Sequence, residues 1–562
     1  MPQKTITWQI ADKFNSFFVN IGPNLAADIR DPGSIDEDGC LIERNPNSMF
    51  IAAVDEQEII DTVNKCSNKK STDCNNIDMA LVKSTIEFIS KPLSYICNLS
   101  FQTGIFPNKM KTAKVIPLYK TGDKHNFTNY RPVSLLSQFS KVLEKLFNSR
   151  LDKFINKYNL LSDSQYGFRS NRSTSHALIE TVEDITNAID QKLHSVGIFI
   201  DLKKAFDTIH HDILINKLER YGIRGIAKNW VSSYLSNRNQ FVKLGETVSS
   251  CLDIVFGVPQ GSVLGPKLFI LYINDMCNVS EKLKLILFAD DTNIFCAGNN
   301  LHELQDMVSN EMGKLKSWFD KNKLSLNLSK TKVMLFSNSR INIDFNINID
   351  GISIERVNEN KFLGVIIDEN INWKTHIKNT LNKLSRSISI LSKAKHVLDR
   401  NSLRILYCSL VLPYLNYCSE VWGNTYKCSL NAITILQKRA IRIINNAGFR
   451  DHTNALFIKS KIIKFVDIVE YKTAQIMYKA RNNQLPGNIQ KLFFERDGRY
   501  NLRGEANLKT LRARTTMKSF CISIRGVKLW NSLDAGLQQC FSVNQFKKRY
   551  KEHLFKRYNT TL

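Results

Sequence analysis

Long apolar runs are missing from this 562-residue sequence. No stretch reaches the roughly 18 consecutive apolar residues of a membrane span, and the first residues, MPQKTITWQIADKF, lack the charged-then-apolar order of a signal peptide. Those absences lead us to expect a soluble, intracellular protein. Paired cysteines are missing too. The twelve, at positions 40, 66, 74, 97, 251, 277, 296, 408, 418, 428, 521 and 540, form no CxxC pair. That argues against a zinc ribbon or knuckle, and in a reducing compartment they read as small buried hydrophobes. Cys408, Cys418 and Cys428 recur every ten residues, but no nearby histidine completes a ligand set. There is no internal repeat and no long linker. Acidic residues are scarce in the last third: residues 371–562 carry 10 against 35 Lys and Arg, whereas residues 1–370 carry 42 against 43. Nearly all of the net charge of +26 therefore lies in one segment.

What is present is globular in composition, 43% hydrophobic, 10% aromatic and 23% charged. That excludes a disordered tail, a collagen and a disulfide mini-protein, and the length converts to about three to five domains. A dense positive field on one segment suits a polyanion, nucleic acid being the common one; the alternative is a merely soluble basic surface. The first hundred residues read as helical pieces broken by an acidic loop, DPGSIDEDGC at 31–40, with 77–103 as one helix. From there to about 370 strands alternate with helices. KVIPLY (114–119) and GIFI (197–200) are short strands, and 135–155 and 177–193 have helical spacing. A helix is expected from Lys203 to about Leu218, another ending in FILYINDM (269–276), and another at 308–323. KVMLF, FNINID and FLGVIID read as strands, and beyond 370 the pattern turns helical and basic.

Acids sit where strands end. In IFIDLKKAFD, Asp201 closes an apolar strand and Asp207 follows within the expected helix. In LILFADDTNIF, Asp290 and Asp291 fall where a hairpin must turn. Carboxylates converging from neighbouring strands repel unless a cation lies between them, and hard oxygen ligands suit Mg²⁺. Ordinary turn chemistry explains a lone Asp pair equally well. A Gly/Pro-rich turn, FGVPQGSVLGPKLFILYIND (256–275), leads into a helix; Gly257, Gly261 and Gly265 would let the backbone approach a ligand closely, and Gln260 offers a two-sided amide. It lacks GxxxxGK[ST], so no ATP-hydrolysing P-loop is implied. His210 and His211 are neighbours on the expected helix, point about 100° apart and cannot chelate one ion together, so we read them as structural.

The blocks VIPLYKTGD…NYRPVSLLS, QYGFRSNRSTSHAL, FIDLKKAFDTIHH, GVPQGSVLGPKLFILYIND, LFADDTNIF, LSLNLSKTKVMLF and FLGVIID occur in the order of reverse transcriptase blocks. In detail they resemble reverse transcriptases of non-LTR (LINE-type) retrotransposons of the jockey kind, over about residues 106–370. YLNYCSEVWGN, ILQKRAIRIIN and GVKLWNSLD…FKKRYKEHLF resemble the downstream part of those reading frames, and IADKFNSFFVNIGPNLA resembles the region just before the polymerase.

The resemblance implies an α+β right-hand polymerase: an N-terminal helical segment at 1–105, helical fingers at 106–195, a palm with an antiparallel sheet at 196–370, a thumb-like basic helical region at 371–450 and a basic, mostly helical extension at 451–562. It implies RNA-directed DNA synthesis from a primer 3′-hydroxyl, with an RNA template, a DNA primer or target and dNTPs as partners, no membrane, and two Mg²⁺ ions, Mn²⁺ being a possible substitute. By the same resemblance Asp201, Asp290 and Asp291 hold the metals, with a backbone carbonyl from Leu202. Phe206 is the wall beneath the incoming sugar, Lys120 and Arg131 grip the triphosphate, and Gln260 lies near nucleotide and template. Lys330 protonates the leaving pyrophosphate, although Lys332 lies two residues away. Arg169 and Arg172 would touch template phosphates, and Gly364 belongs to the turn resembling the primer grip. The nucleus is the expected location. Relatives usually carry an endonuclease upstream, and this chain is expected to be a fragment or a truncated copy. The competing readings are a catalytically silent remnant that only binds nucleic acid, and another right-hand polymerase such as an RNA-dependent RNA polymerase or a maturase. An aromatic Phe206 and FADD disfavour the viral RNA enzyme, and the C-terminal match disfavours the maturase.

Overall fold

A computed structural model describes residues 8–29, 40–337, 345–495 and 508–559. The acidic loop read at 31–40 lies outside them except for Cys40. The chain divides into two compact units, the first from Met1–Phe168, Ile200–Lys282 and Asn310–Lys330, the second from Arg169–Phe199, Leu283–Ser309 and Thr331–Leu562.

In the first unit, helix α1 (Trp8–Ala27) places Phe14, Phe18 and Ile21 on one face, against Val115 and Val242. Those valines belong to strands β1 (Thr112–Tyr119) and β4 (Arg238–Leu244), which run parallel from Thr112 opposite Asn239. Strand β2 (Tyr130–Leu136) pairs antiparallel with β1, Tyr119 facing Tyr130. KVIPLY is a strand, as expected, and its pairing with β2 means that the region from 106, expected to be mainly helical fingers, opens with a hairpin; the burial of β2 alternates residue by residue, the period of a half-buried strand. Strands β5 (Thr247–Val248) and β6 (Leu252–Ile254) pair with β4. Helix α2 (Glu56–Asn64) precedes α3 (Met79–Thr103), which starts where Asp78 accepts the Leu81 N–H and stops at Gly104, whose φ of 69° only glycine adopts freely. Helices α4 (Gln138–Lys157) and α7 (Ile226–Leu235) complete an aromatic core. Phe147 stacks on Trp230 at 4.0 Å between ring centres, and the indole N–H donates to Ser100 Oγ at 3.0 Å.

The helix expected from Lys203 begins only at His211, as α6 (His211–Arg220). Residues 201–210 are a loop because most of their backbone bonds run across the unit and not along a helix: Lys203 N–H donates to the Ser325 carbonyl, the Phe206 and Ile209 carbonyls accept from Val258 and Gly257, and within the loop Asp207 N–H closes a tight turn on the Lys204 carbonyl. Lys204 takes a φ of 49° in that loop. Asp207 is thus off the helix and His210 precedes it. The Gly/Pro-rich turn leads into α8 (Gly265–Tyr272), as expected, and α9 (Leu301–Lys321) is longer than the 308–323 read from the sequence.

The second unit holds a sheet ordered β12-β9-β3-β8-β7, from β3 (His194–Ile200), β7 (Lys284–Phe288), β8 (Asp291–Gly298), β9 (Lys332–Phe336) and β12 (Glu355–Arg356). It is antiparallel at β3–β9 and β7–β8, but β12 joins β9 in parallel, so the expected purely antiparallel sheet is mixed. Strands β10 (Asn348–Ile349) and β11 (Ile352–Ser353) form a small hairpin, as do β13 (Glu359–Phe362) and β14 (Val365–Asp368). Helix α5 (Thr174–Asp190) packs on β7 and β8, with Lys284 of β7 bonded to Glu180 and Asp184 at 2.9 and 2.6 Å. Beyond 370 come helices, among them α10 (Lys374–Ala394), α11 (Arg400–Leu410), Lys427–Ile444, Phe465–Arg481 and Val543–Asn559. The end of the chain is tied back to α5. Glu183 accepts from Lys518 and from Ser523 N–H and Oγ, and Asp190 accepts from Arg514 and Thr515. Cys251, Cys408 and Cys428 are exposed, against the expectation that the cysteines are buried. No described helix is long and apolar enough to cross a membrane.

Candidate active site

Asp201 follows the last residue of β3 and is fixed by the LSLNLSK segment. Asn327 N–H donates to the Asp201 carbonyl and Asn327 Nδ2 to its Oδ2, both at 2.8 Å, while Lys330 Nζ lies 3.9 Å from the same oxygen. Leu202 bridges to Leu326. Nearly half of the Asp201 side chain stays exposed, 47%, so the carboxylate is oriented yet open to a ligand. Sequence reasoning kept only Lys330 from this segment. Asn327 was missed; its signal is a polar side chain between Leu326 and Leu328, three residues before the lysine. Lys332, the alternative to Lys330, lies on β9 and is ion-paired with Glu355.

The basic residues of the first unit gather around one the sequence did not single out. Lys204 lies within electrostatic reach of Arg131, Lys120 and Lys330, and its pKa is pushed down first by burial and then by those cations, against the pull of Asp207. Its Nζ contacts the Tyr130 carbonyl at 3.4 Å. The structure thus brings Lys120, Arg131 and Lys330 into one cationic region. Phe206 is half-buried, its ring 4.5 Å from that of buried Phe269 and 6.3 Å from that of exposed Phe168. It sits on a packed base with one face left over, which suits a wall.

The glycines of the 256–265 turn serve the protein's own backbone. A Cβ at Gly257, φ 78°, would lie 2.8 Å from Asp207 Cα, and one at Gly261, φ 136°, would strike the Ser134 carbonyl. The close approach expected for a ligand is therefore filled by the chain itself. Gln260 Nε2 donates to both Asp207 carboxylate oxygens, at 3.0 and 3.1 Å, and burial pushes the Asp207 pKa up to about 6, against the opposing pull of Lys204 and this amide. His211 Nε2 meets the Gly257 carbonyl at 2.8 Å, a structural use of that histidine.

In the second unit the expected hairpin is present, with Asp290 in the tight turn between β7 and β8 and Asp291 as the first residue of β8. Phe288 pairs with Asp291, leaving Ala289 and Asp290 as the turn, and both acids are exposed. Ala289 adopts a φ of 58°, a conformation costing about 1–2 kcal/mol for a residue with a Cβ, and such strain clusters at functional turns. Arg169 and Arg172 lie in the turn entering α5, half-buried, with Asn171 at a φ of 60°. Gly364, φ 80°, forms the β13–β14 turn, and Tyr417 braces it, its hydroxyl donating to the Leu363 carbonyl at 2.7 Å.

Among the described residues no three His, Cys, Asp or Glu side chains are gathered at one point. Asp201 in the first unit, and Asp290 and Asp291 in the second, are each hard oxygen donors with exposed surface, the donor type that suits Mg²⁺ or Mn²⁺. Residues 121–367 match the family described as reverse transcriptase (RNA-dependent DNA polymerase). That stretch is a reverse transcriptase domain. It contains every singled-out residue but Lys120, and it mixes helices with sheets, as the family's fold requires. Reverse transcriptases work with divalent metal ions. The chain is similar to the probable RNA-directed DNA polymerase from transposon BS of Drosophila melanogaster, 28% identical over 72% of this chain and 46% of that protein. It is also similar to the RNA-directed DNA polymerase from mobile element jockey of the same fly, 28% identical over 79% of this chain and 49% of the relative. The corresponding protein from transposon X-element is 27% identical over 69% and 43%. The chain spans about half the length of these curated relatives.

Proposed function

We propose that the chain is the RNA-directed DNA polymerase of a non-LTR mobile element, extending a primer 3′-hydroxyl with dNTPs on an RNA template. The observation that carries this reading is the Asp201 carboxylate, oriented by Asn327, open to ligands and accompanied by a cationic region of Arg131, Lys204 and Lys330 within a reverse transcriptase domain and of Lys120 at its edge. The reaction joins the primer oxygen to the α-phosphorus of the nucleotide and breaks the bond to pyrophosphate. Asp201, Asp290 and Asp291, with the Leu202 carbonyl, would hold two Mg²⁺ ions, supported by the donor set and by β3 and β8 being neighbours in one sheet. When bound, such ions activate the attacking hydroxyl and stabilise the leaving oxygen. Lys120, Arg131 and Lys204 hold the triphosphate, a planar guanidinium doing so bidentately. Lys330, beside Asp201, delivers the proton to the departing pyrophosphate. Phe206 excludes a 2′-hydroxyl and so selects deoxynucleotides.

In this reading 106–195 are fingers, 196–370 palm and 371–450 thumb, and the basic helices beyond 370 follow the template–primer duplex by phosphate contacts. Arg169 and Arg172 hold template phosphates, Gly364 shapes the primer grip, and the work is done in the nucleus, where a genomic target lies. The test is dNTP incorporation on a primed RNA with Mg²⁺, comparing the full chain with Asp290→Ala. Activity that vanishes in the variant supports the polymerase and its metal site. An intact chain that binds duplex but incorporates nothing is instead a silent, nucleic-acid-binding remnant.

A further inference from the structure

Asp207 has no part in the chemistry above, yet the first unit is built closely around it. A carboxylate can only accept hydrogen bonds. With both of its oxygens receiving Gln260 Nε2, at 3.0 and 3.1 Å, the amide has one permitted orientation: nitrogen toward Asp207, Oε1 away from it. Neither partner is free to drift. The Gln260 carbonyl accepts the Ser134 N–H at 2.8 Å, and the loop bearing Asp207 is bonded to the glycine-rich turn through Gly257 to Ile209, 2.8 Å, and Val258 to Phe206, 3.0 Å. Behind them Gly22 of α1 and Gly257 close on the Asp207 backbone, where a Cβ would collide with it. Asp207 also follows Phe206, the residue assigned to the incoming sugar, directly in the chain, and the Phe206 carbonyl is bonded to the same turn that carries Gln260.

We infer that Asp207 is a positioning residue that locks the Gln260 carboxamide with its oxygen outward, so that the polymerase meets the bound nucleotide with an acceptor and recognises a hydrogen-bond donor on it. The inference rests on the polymerase reading. A protonated or amidated residue 207 can donate to Gln260 Oε1, and the amide then occupies both orientations. Only the charged form is fully competent, and apparent nucleotide affinity falls with the competent fraction. With the carboxyl titrating at about 6, about nine tenths of it is neutral near pH 5; with the two amide orientations then about equally populated, KM for dNTP rises about twofold while kcat changes little.

The groups that act on the Asp207 carboxyl are Lys204 in its own loop and Gln260 in the glycine-rich turn, and Gly22 of α1 approaches its backbone carbonyl. Arg131, Lys120 and Lys330 surround Lys204. His210 and His211 at the start of α6 have pKa values pushed down by burial, which the backbone contact of His211 with Gly257 only partly offsets. These histidines and the nucleotide's own phosphates also take up protons as pH falls, so Asp207→Asn is the control.

The experiment is steady-state dNTP incorporation by the full chain from pH 8 to pH 5. The expected result is a KM that rises below pH 6.5 in the wild type, whereas Asp207→Asn has a KM about twofold higher at pH 7.5, kcat unchanged within error, and no rise of its own beyond what the histidines and phosphates impose. Equal KM and equal pH profiles in wild type and a folded Asp207→Asn overturn the inference. If the variant does not fold, a wild-type KM flat from pH 7.5 to 5 overturns it alone. A wild type that incorporates nothing at any pH and binds no dNTP overturns the polymerase reading itself.

Discussion

Asp201 in the first unit and Glu183 in the second are carboxylates put to opposite uses. Glu183 is 2% exposed, with both oxygens taken by Lys518 and by the N–H and hydroxyl of Ser523. Asp201 has one oxygen held by Asn327 and 47% of its side chain open. A buried carboxylate must be fully partnered, because an unsatisfied charge in the interior costs several kcal/mol. A carboxylate that keeps open surface beside a cation is equipped to receive something else. The lesson is that α5, with Glu180, Glu183, Asp184 and Asp190, uses its acids for cohesion. The Asp201 loop, with fewer acids, leaves its carboxylate open on one side, the arrangement the proposed metal site requires.

The comparison breaks most visibly at Asp201. Asp201→Asn keeps the Asn327 contact and the shape but not the charge, so primer extension should fall by about a thousandfold or more, several kcal/mol of transition-state stabilisation, while the thermal midpoint stays within a few degrees. A large loss of stability would make Asp201 a structural acid like Glu183. The converse variant, Glu183→Gln, leaves the Lys518 ammonium buried without a counter-charge. Chemical denaturation should show a loss of about 3–5 kcal/mol, with the folded fraction retaining its specific activity. Extension lost without a change in stability would assign Glu183 to catalysis.

His376 sharpens the same distinction through pH. Its Nδ1 accepts the Ile366 N–H at 3.2 Å and its ring packs edge-on to Trp422, so burial, with a smaller push from Lys383, lowers its pKa to about 4. As pH falls from 6.5 to 4 the unfolded chain binds the proton and the folded chain does not. Stability present above pH 6.5 is therefore lost through that window, by about 3 kcal/mol. His376→Gln should flatten that part of the stability–pH curve, and a curve of unchanged steepness would show that the imidazole protonates without cost. The smallest effect is expected at Phe206, since its base on Phe269 remains when the ring is removed. Phe206→Ala should raise ribonucleotide use by about tenfold, roughly 1.4 kcal/mol of lost exclusion. Unchanged sugar discrimination would reduce Phe206 to packing.

Much of this was legible along the chain. Apolar periodicity marked α3, α4 and α5, and short apolar runs bounded by turn residues marked β1, β3 and the β7–β8 hairpin with Asp290 at its tip. The 203–210 segment was not, because its helical spacing is genuine and loses to bonds with Ser325, Gly257 and Val258 that lie far off in sequence. The choice of Lys330 over Lys332 was open for the same reason: only the β9–β12 pairing commits Lys332 to Glu355.

By itself the sequence determined the order of elements, the acids at strand ends and the concentration of positive charge beyond residue 370, since these depend on local periodicity and composition. Tertiary structure alone decided that Asn327 orients Asp201, that Lys204 centres the cationic region, that Asp207 fixes the face of Gln260 and that residues 514–523 complete α5. Each of those is a pairing between distant segments, and hydrogen-bond geometry at 3 Å is set by where the folded backbone brings two groups, not by their spacing along the chain.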